Sequence, residues 1–408
     1  MTQTPSTPHS LPMERDAGPF DPPRDITRLR EERPVSPMVF PDGHKGWLVT
    51  GYDAARRLLA DTRFSSRQDI GPLHIPYEVP GMPAVTEPSP QVPGLFISMD
   101  PPDHTRLRRM LTGAFTVKRL KELESRITDI AERQLEEMTR LTPPVDLVKE
   151  FALPVPLLVI CELLGVPYED RHSFQTNTAT FMEKDVDLEK KIAAYTGLTT
   201  YLGELVTGKR AAPGQDILSD LAAREDLTVE ELTGIAFLLL LAGHETTANM
   251  LGLGAFALLE HPEQAAELRA NPDLIPDAVE ELMRYLSVAD IFYRYATQDI
   301  ELGGETIEQG STVVVSLLAA NHDPAHFDNP DTLDIHRKAR GHLTFGHGIH
   351  QCLGAQLGRL EMRAGFAGLL RRFPTLELAV PAGEVRLRTN MNIYGVHELP
   401  VTWTETAP

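Results

Sequence analysis

One stretch of the chain, from Phe345 to Gly354, reads Phe-Gly-His-Gly-Ile-His-Gln-Cys-Leu-Gly. It places a single cysteine, Cys352, in a loop that is punctuated by glycines, which lack the Cβ atom that would keep backbone amides away from the sulfur. The residues after Cys352 predict a helix, because apolar side chains recur there at helical spacing. These are Leu353, Leu357, Leu360, Phe366, Leu369 and Leu370. A thiolate near a helix N-terminus is stabilised by the partial positive charge there, so the stretch is typical of a cysteine held against a metal.

Two other interpretations of Cys352 are open at this point. A lone cysteine is often a small buried apolar residue, and His347, His350 and Cys352 together could form part of a zinc site. The zinc interpretation is disfavoured because a structural zinc site needs four ligands, usually with a second paired cluster. The other cysteine of the chain, Cys161, lies at the end of an apolar run that starts at Phe151. We predict that Cys161 belongs to the core.

The charge balance excludes one broad class of function. Of the 408 residues, 39 are Lys or Arg and 58 are Asp or Glu, which gives a formal net charge of −19. Binding of nucleic acid depends on a basic surface that faces the phosphates, so this chain predicts no nucleic-acid partner. No membrane partner is predicted either, because the apolar run over residues 234–243 has only about half the length that a bilayer requires.

The composition indicates a single large domain with a tail. Residues 1–21 are rich in Pro, Ser and Thr and lack the apolar segment of a signal peptide, which predicts a flexible N-terminal tail. No linker or internal repeat divides residues 22–408, so one domain is expected there. Two cysteines at distant, unlike positions favour a reducing cytoplasm.

Helical periodicity covers the middle of the chain, and strand patterns follow it. A strand over 46–50 leads into a short helix over 52–60. Longer helices are predicted over 117–138, 145–164, 170–182, 188–208, 228–259 and 274–286. Antiparallel strands are predicted between 293 and 316, and a second strand-rich piece runs from 375 to 403. This segregation predicts a fold that is mainly α with a small β lobe.

A carboxylic acid and a hydroxyl group lie side by side in the longest apolar helix, in the sequence Ala242-Gly-His-Glu-Thr-Thr247. Burying a carboxyl group there is costly unless it is paired or used. A zinc protease would need a second histidine four residues after His244, where the chain has Ala248. One threonine could simply bond back to the preceding turn. The whole hexapeptide indicates instead a functional pair, Glu245 and Thr246.

A third motif, Glu281-Leu-Met-Arg284, places an acid and a base on one face of a helix. Ion pairs at this spacing are common on surfaces and contribute little there, so the pair alone is weak evidence. The motif lies in the sequence between the acid–alcohol helix and the cysteine loop, and this position makes it stronger evidence than the pair alone.

These three motifs resemble those of the cytochrome P450 monooxygenases, and the resemblance extends from about residue 21 to residue 403. It implies the cytochrome P450 fold, haem b (iron protoporphyrin IX) as the cofactor, and Cys352 as the axial thiolate ligand of the iron. It also implies that Glu281 and Arg284 serve assembly of the fold and not catalysis.

The resemblance assigns roles to further residues around the haem. It implies that Thr246 donates a hydrogen bond during dioxygen activation, that Glu245 relays protons, and that Ala242 and Gly243 line the haem, with Gly243 leaving room for dioxygen. The other implied haem-binding residues are Phe345 and Gly354 near the sulfur, and His104, Arg108, Arg294 and His350 at the propionates.

The implied activity is hydroxylation or epoxidation of a lipophilic small molecule with O2, most like that of the actinomycete enzymes that act on natural products and xenobiotics. Substrate contacts are expected from the loop over 70–93 and from a set of apolar residues. These are Phe181, Phe237, Val288, Ile291 and Ile393. Two alternatives are a peroxygenase or C–C coupling enzyme on the same fold, and a non-enzymatic haem sensor or carrier. The Glu245–Thr246 pair disfavours both.

The electron donor is expected to be a separate protein, because the chain resembles no flavin domain and has no iron–sulfur cysteine cluster. The resemblance implies a small acidic ferredoxin with its reductase, which serves a monomeric enzyme. Because both proteins are acidic, docking requires a local basic patch near the thiolate. The candidates are Arg106, Arg109, Arg119, Arg359 and Arg363.

Overall fold

Helices form most of the fold. The computed structural model describes residues 9–71, 74, 87–115, 117–182, 186–389 and 393–407. Within them the helices are α1 (Arg24–Glu32), α2 (Tyr52–Ala60), α3 (Asp103–Ala114), α4 (Val117–Thr139), α5 (Pro154–Leu164), α6 (Arg171–Met182), α7 (Leu188–Ala211), α8 (Ile217–Ala222), α9 (Val229–Leu259), α10 (Pro262–Ala270), α11 (Ile275–Leu286), α12 (Leu317–Asn321) and α13 (Ala355–Arg372). The predicted mainly α fold with a small β lobe is confirmed.

Three small sheets accompany the helices in the described residues. The strands are β1 (Val35–Val39), β2 (Lys45–Val49), β3 (Phe64–Ser65), β4 (Val145–Asp146), β5 (Ile291–Ala296), β6 (Ile300–Leu302), β7 (Glu305–Ile307), β8 (Thr312–Ser316), β9 (Glu377–Leu378) and β10 (Pro400–Thr402). The largest sheet has the order β1-β2-β8-β5-β3. Its pairs are antiparallel except β2 and β8, which run parallel with Trp47 opposite Val313. The other sheets are β4-β10-β9 and the pair β6-β7.

Helix α9 runs through the middle of the helical part and packs against α7, α5 and α13. It starts with the predicted capping box, in which the Thr228 hydroxyl accepts from the Glu231 N–H and the Glu231 carboxylate accepts from the Thr228 N–H. Most of its residues are buried, as expected for a helix that is apolar on nearly all sides. Among the described residues, no helix combines the length and hydrophobicity that crossing a bilayer would need.

The continuous helix predicted over 145–164 is interrupted. Strand β4 comes first, a short π-helical turn over Val148–Ala152 follows, and α5 starts only at Pro154. Proline has no N–H to donate to the preceding turn, so it favours the first position of a helix over its interior. Cys161 lies in α5 with no exposed surface, and burial raises the pKa of its thiol to about 12. The prediction that Cys161 is a core residue is confirmed.

The described part of the N-terminal tail differs from the flexible segment that the sequence predicts. His9 pairs with Met38 beside β1, and Leu11 and Phe20 are buried. The Arg15 guanidinium group lies 4.0 Å from the centre of the Tyr394 ring. Isolated apolar residues in a polar stretch form no periodic pattern, so composition alone could not distinguish this packed segment from a flexible tail.

Glu281 and Arg284 join α11 to the segment that leads toward the cysteine loop. Both side chains are fully buried, with Arg284 Nε 2.7 Å from Glu281 Oε2. Arg337 adds a second guanidinium group, with its Nε 3.0 Å from Glu281 Oε1. Arg284 also donates to the carbonyl oxygens of Asn321 and Pro330 at 2.9 and 2.8 Å. The pair therefore holds several chain segments together, which supports the structural role predicted for it.

Candidate active site

A tight loop presents Cys352 just before α13. Gly346 and Gly348 have φ angles of +67° and +75°, in the left-handed region that glycine adopts without steric cost. A Cβ atom on Gly348 would lie 2.3 Å from the Leu59 carbonyl oxygen, so the end of α2 packs directly on the loop. The Cys352 N–H donates to the Phe345 carbonyl oxygen at 2.8 Å. Both contacts fix the position of the sulfur.

The surroundings of the Cys352 sulfur have opposing effects on the pKa of its thiol. Burial raises the pKa, whereas the N–H of Gly354, which donates to the sulfur, and the guanidinium groups of Arg108 and Arg359 lower it. The residue as a whole nevertheless keeps accessible surface. Amide donors and nearby cations favour a thiolate. The loop therefore supplies the groups that a thiolate ligand needs.

Four basic side chains converge beside this loop from separate elements. His104 and Arg108 lie on α3, Arg294 lies on β5, and His350 precedes the cysteine. The ring centres of His104 and His350 are 4.2 Å apart, and Arg108 Nη2 donates to the Gln351 carbonyl oxygen at 2.6 Å. The structure thus brings together all four residues that the resemblance assigns to the propionates.

The cluster gathers more positive and hydrogen-bonding groups than the nearby carboxylate of Asp100 can pair with. Burial, and to a smaller extent the charges of Arg294, His104 and Arg108, lower the pKa of His350 to about 3. Burial lowers the pKa of Arg294 to about 10, which Asp100 only partly opposes. Both ring nitrogens of His104 and Nε2 of His350 have no hydrogen-bond partner in the described chain. Such a group of donors is arranged to receive carboxylates.

One stripe of α9 stays accessible although most of the helix is buried. It comprises Leu239, Ala242, Gly243 and Thr246, whose spacing of three and four residues places them on one helix face. The Thr246 hydroxyl donates to the Ala242 carbonyl oxygen at 2.7 Å, so its oxygen still has lone pairs with which to accept. The predicted Thr246 site thus lies on an open face of an otherwise packed helix.

Gly243 also allows a close contact with a neighbouring helix, and the role in dioxygen binding that the resemblance implies for it stays a prediction. A Cβ atom there would lie 2.6 Å from Ile160 Cδ1 on α5. The glycine therefore lets α5 pack closely on α9, which sequence alone could not show because it depends on which helix lies alongside.

Glu245 has a partner that the sequence analysis missed. Arg388 Nη2 lies 2.5 Å from Glu245 Oε1, although the two residues are 143 positions apart. The other terminal nitrogen of Arg388 donates to Asn249 Oδ1 at 3.1 Å. No local spacing could have indicated this contact, because Arg388 comes from the irregular C-terminal segment that folds back onto α9.

Comparison with known proteins identifies the family. A family profile described as Cytochrome P450 matches residues 273–392, which contain Glu281, Arg284 and Cys352. The protein named cytochrome P450 105C1, from a Streptomyces species, is 47% identical over 386 residues, which cover 94% of this chain and 96% of that protein. The chain belongs to the cytochrome P450 family.

Two further relatives match over nearly their whole length. The vitamin D3 dihydroxylase of Streptomyces griseolus is 44% identical over 414 residues and is covered completely, together with 99% of this chain. The crystal structure of CYP105P1 in complex with filipin I superposes with a TM-score of 0.89 at 42% identity, and covers 98% of this chain and 99% of its own. The predicted cytochrome P450 fold, the haem b cofactor and the monooxygenase class are thereby confirmed.

The residues around Cys352 fit the haem of a cytochrome P450. Haem b carries two propionate carboxylates, and the cluster of His104, Arg108, Arg294 and His350 offers buried cations and unpaired nitrogens of the kind that carboxylates need. These four residues would hold the propionates, and Cys352 would ligate the iron. Assignment of the individual residues stays a prediction.

Phe345, predicted to pack near the sulfur, is fixed by a charged network. The Arg359 guanidinium group lies 4.5 Å from the centre of its ring and donates to both Glu280 oxygens at 2.6 and 2.8 Å. Although burial opposes the effect, hydrogen bonds from His342 and Arg359 lower the pKa of Glu280 to about 2. Arg359 is thus engaged in an ion pair beneath the cysteine loop, and its place in a basic docking patch stays a prediction.

Four of the five predicted substrate contacts fall into two groups. Phe181 on α6 and Phe237 on α9 form an edge-to-face pair with ring centres 5.7 Å apart, and Tyr195 of α7 joins them. Val288 and Ile393 approach each other through the bridge between Ala289 and Ile393 and the bond from the Tyr394 N–H to the Val288 carbonyl oxygen. Both groups remain candidates.

Ile291 does not join either group. It packs with Leu11, Ile26 and Met38 in the core of the β lobe, because the alternation of β5 turns its first side chain toward the N-terminal segment. This packing does not support a substrate contact at Ile291, which stays a prediction. Most of the predicted loop over 70–93 lies outside the described residues.

Proposed function

We propose that this cytochrome P450 hydroxylates or epoxidises a lipophilic small molecule, a natural product or a xenobiotic. The observation that carries the proposal is the accessible stripe of α9, which bears Thr246. The neighbouring turns of this helix pack against apolar residues and against an aromatic cluster at Phe237. Relatives named for vitamin D3 and crystallised with filipin I support a lipophilic ligand.

The chain's own residues supply hydrogen bonding and protons to this reaction. When bound, the thiolate-ligated haem activates O2 with two electrons and two protons, so that one oxygen atom enters the substrate and the other leaves as water. Thr246 presents a hydroxyl group on the open stripe. Glu245, one residue earlier, is the nearest carboxylate along the helix and relays protons from solvent to that stripe.

Replacing Thr246 by Ala should leave haem and substrate binding intact but lower the product formed per NAD(P)H consumed. We expect a loss of roughly 10- to 100-fold, because general acid–base assistance commonly contributes at least that much, and the missing reducing equivalents should appear as hydrogen peroxide. The measurement is the ratio of product to NAD(P)H together with a peroxide assay.

Thr233 offers a matched control on the same helix. Its hydroxyl bonds back to the Val229 carbonyl oxygen at 2.8 Å, as that of Thr246 does to Ala242, but it lies more than three turns away. Thr233→Ala should keep the normal ratio. If Thr246→Ala also keeps it, the role of Thr246 is refuted and the peroxygenase alternative gains support.

The substrate class can be tested by spin-state titration. Lipophilic natural products should shift the haem spectrum at micromolar concentrations, whereas small polar compounds should not, because the candidate contacts Phe181, Phe237, Val288 and Ile393 offer apolar surface. A panel in which only polar, charged compounds produce the shift would contradict the proposed class.

We infer that electrons come from a small acidic ferredoxin and its reductase, and that the enzyme works as a monomer in the cytoplasm, with a role in secondary metabolism. The five predicted arginines remain the candidates for its docking patch, and they differ in how free they are to bind a partner. Three candidates already have acidic partners: Arg106 with Glu231, Arg119 with Asp220, and Arg359 with Glu280. Arg109 is exposed on α3, the helix that also carries Arg108 beside the cysteine loop.

Reversing the charge of Arg109 with Glu should slow reduction by ferredoxin severalfold and make the rate less sensitive to salt, because charges at the rim of an interface act mainly on association. Stopped-flow reduction at several ionic strengths measures this. Substrate spin shifts and peroxide-driven turnover should be unchanged. An equal loss of peroxide-driven turnover would show damage to the haem site and would exclude Arg109 as a docking residue.

A further inference from the structure

Arg388 closes a ring of hydrogen bonds around the acid of α9. One of its terminal nitrogens binds Glu245 Oε1 at 2.5 Å, and the other binds Asn249 Oδ1 at 3.1 Å. The Asn249 amide in turn donates to the Glu245 carbonyl oxygen at 2.8 Å. Only about a fifth of the Glu245 side chain and less of that of Arg388 are exposed. One carboxylate oxygen, Oε1, is thereby bound by Arg388, and the second oxygen can still accept a hydrogen bond from water.

The backbone around Arg388 is itself fixed. The Arg388 N–H donates to the Gly395 carbonyl oxygen at 2.8 Å, and Leu387 pairs with Val396 in an antiparallel bridge. A Cβ atom on Gly395 would lie 2.0 Å from Asn249 Oδ1, so this segment rests directly on α9. The guanidinium group therefore reaches Glu245 from a rigid support, not from a mobile terminus.

Glu245 and Arg388 lie on the wall of a cavity of about 620 Å³. Its other walls come from α4, α5, α6 and the π-helical turn before α5. Among its lining residues are Arg133, Lys149 and Tyr168, which are exposed to solvent, so the cavity opens to the outside. Thr246 is absent from the described lining. Glu245 thus stands between a solvent-accessible cavity and the residue that the proposed function places at the reaction.

His244 presents an unpaired acceptor beside this cavity. It lines the cavity and is 4% exposed. Its Nε2 lies 3.2 Å from the Leu153 carbonyl oxygen and must carry the hydrogen, which leaves Nδ1 as an acceptor. Nδ1 is buried and has no partner in the described chain. Burial lowers the pKa of His244 to about 4, so the ring is neutral at pH 7 and adds no positive charge next to Glu245.

We propose that Arg388 is a positioning residue that holds the Glu245 carboxylate at the inner end of this cavity, where it takes up protons from water. The proposal rests on the proposed role of Glu245 as proton relay. Without Arg388 the carboxylate is free to rotate away from the cavity, and proton uptake limits turnover. Arg388 itself transfers no proton, because a guanidinium group stays protonated.

Three variants of the full haem-loaded enzyme test this assignment. Arg388→Gln removes the ion pair, and Arg388→Lys restores a cation at the same place. Arg386→Gln is the matched control, because Arg386 lies two residues earlier and pairs with Glu398 at 3.5 Å on the exposed surface. For each, the product formed per NADPH, the solvent deuterium isotope effect on turnover, the substrate spin shift and a crystal structure are compared with wild type.

Arg388→Gln should lower product per NADPH about tenfold and raise the solvent isotope effect at least twofold, with an unchanged spin-shift affinity. In its crystal structure the Glu245 carboxylate should leave the cavity wall. Arg388→Lys should recover most of the yield, and Arg386→Gln should behave as wild type. A normal isotope effect in Arg388→Gln, or a carboxylate that keeps its position there, would overturn the inference.

Glu245→Gln separates this inference from the proposed function on which it rests. If Glu245→Gln lowers the yield and Arg388→Gln does not, only the role of Arg388 fails. If Glu245→Gln itself keeps the wild-type yield and isotope effect, the relay role of Glu245 fails, and the assignment of Arg388 is overturned with it.

Discussion

Replacing Cys352 by Ser is expected to remove the thiolate-type carbon monoxide spectrum of the reduced enzyme and nearly all monooxygenase activity. A neutral hydroxyl group donates far less electron density to iron than a thiolate does. Removing a residue that only supports a metal ligand can lower activity by roughly 100-fold. Because Cys352 is itself the predicted ligand, the loss of activity should be larger than that. The fold should survive, because the loop is also held by backbone contacts such as that of the Cys352 N–H with the Phe345 carbonyl oxygen.

The second cysteine supplies the control for this experiment. Cys161→Ala removes a buried thiol from α5 and should leave the spectrum unchanged, with only a modest loss of stability for so small a cavity. A thiolate-type spectrum in Cys352→Ser, or its loss in Cys161→Ala, would mean that the ligand is misassigned.

Replacing Glu281 by Gln is expected to produce the largest loss of stability among the ion-pair variants. It leaves the guanidinium groups of Arg284 and Arg337 without their shared carboxylate in the interior. Breaking a buried pair by removing one partner costs about 3–5 kcal/mol, which is a large part of the 5–15 kcal/mol that typically stabilises a domain. Urea unfolding followed by circular dichroism measures the difference.

Asp25→Asn is a fitting comparison, because Asp25 and Arg28 form an acid–arginine pair with the same spacing of three residues on the surface of α1. Exposed pairs contribute about 0–1 kcal/mol, so this variant should unfold almost as wild type does. If Glu281→Gln lowered the free energy of unfolding no more than Asp25→Asn does, the buried network would not be what holds α11 to the segment around Arg337.

Features that depend on local spacing were predictable from the sequence. The capping box at Thr228 and Glu231 sets the start of α9 because both partners lie within one turn. The glycines around Cys352 indicate a tight loop for the same reason, since a positive φ is a property of the residue itself. Recognition of the family then brought His104, Arg108, Arg294 and His350 together, which spacing alone could not have done.

What the sequence could not give are contacts between distant segments. Arg388 reaches Glu245 across 143 positions, and Arg337 reaches Glu281 across 56. Neither residue differs locally from a solvated surface arginine. The packing of Ile291 in the β lobe was missed for a similar reason, because a strand pattern gives the alternation of faces but not which neighbour each face meets.

The parallel pairing of β2 with β8 has a consequence for synthesis of the chain. One edge of β2 pairs with β1, and on the other edge Trp47, Leu48 and Val49 pair with Val313, Val314 and Val315. The β1–β2 hairpin therefore leaves the ribosome long before the strand that covers its second edge. An uncovered edge invites pairing with other chains, and such late, non-local contacts slow folding. Expression at low temperature or with chaperones should therefore raise the yield of native enzyme more than faster synthesis does.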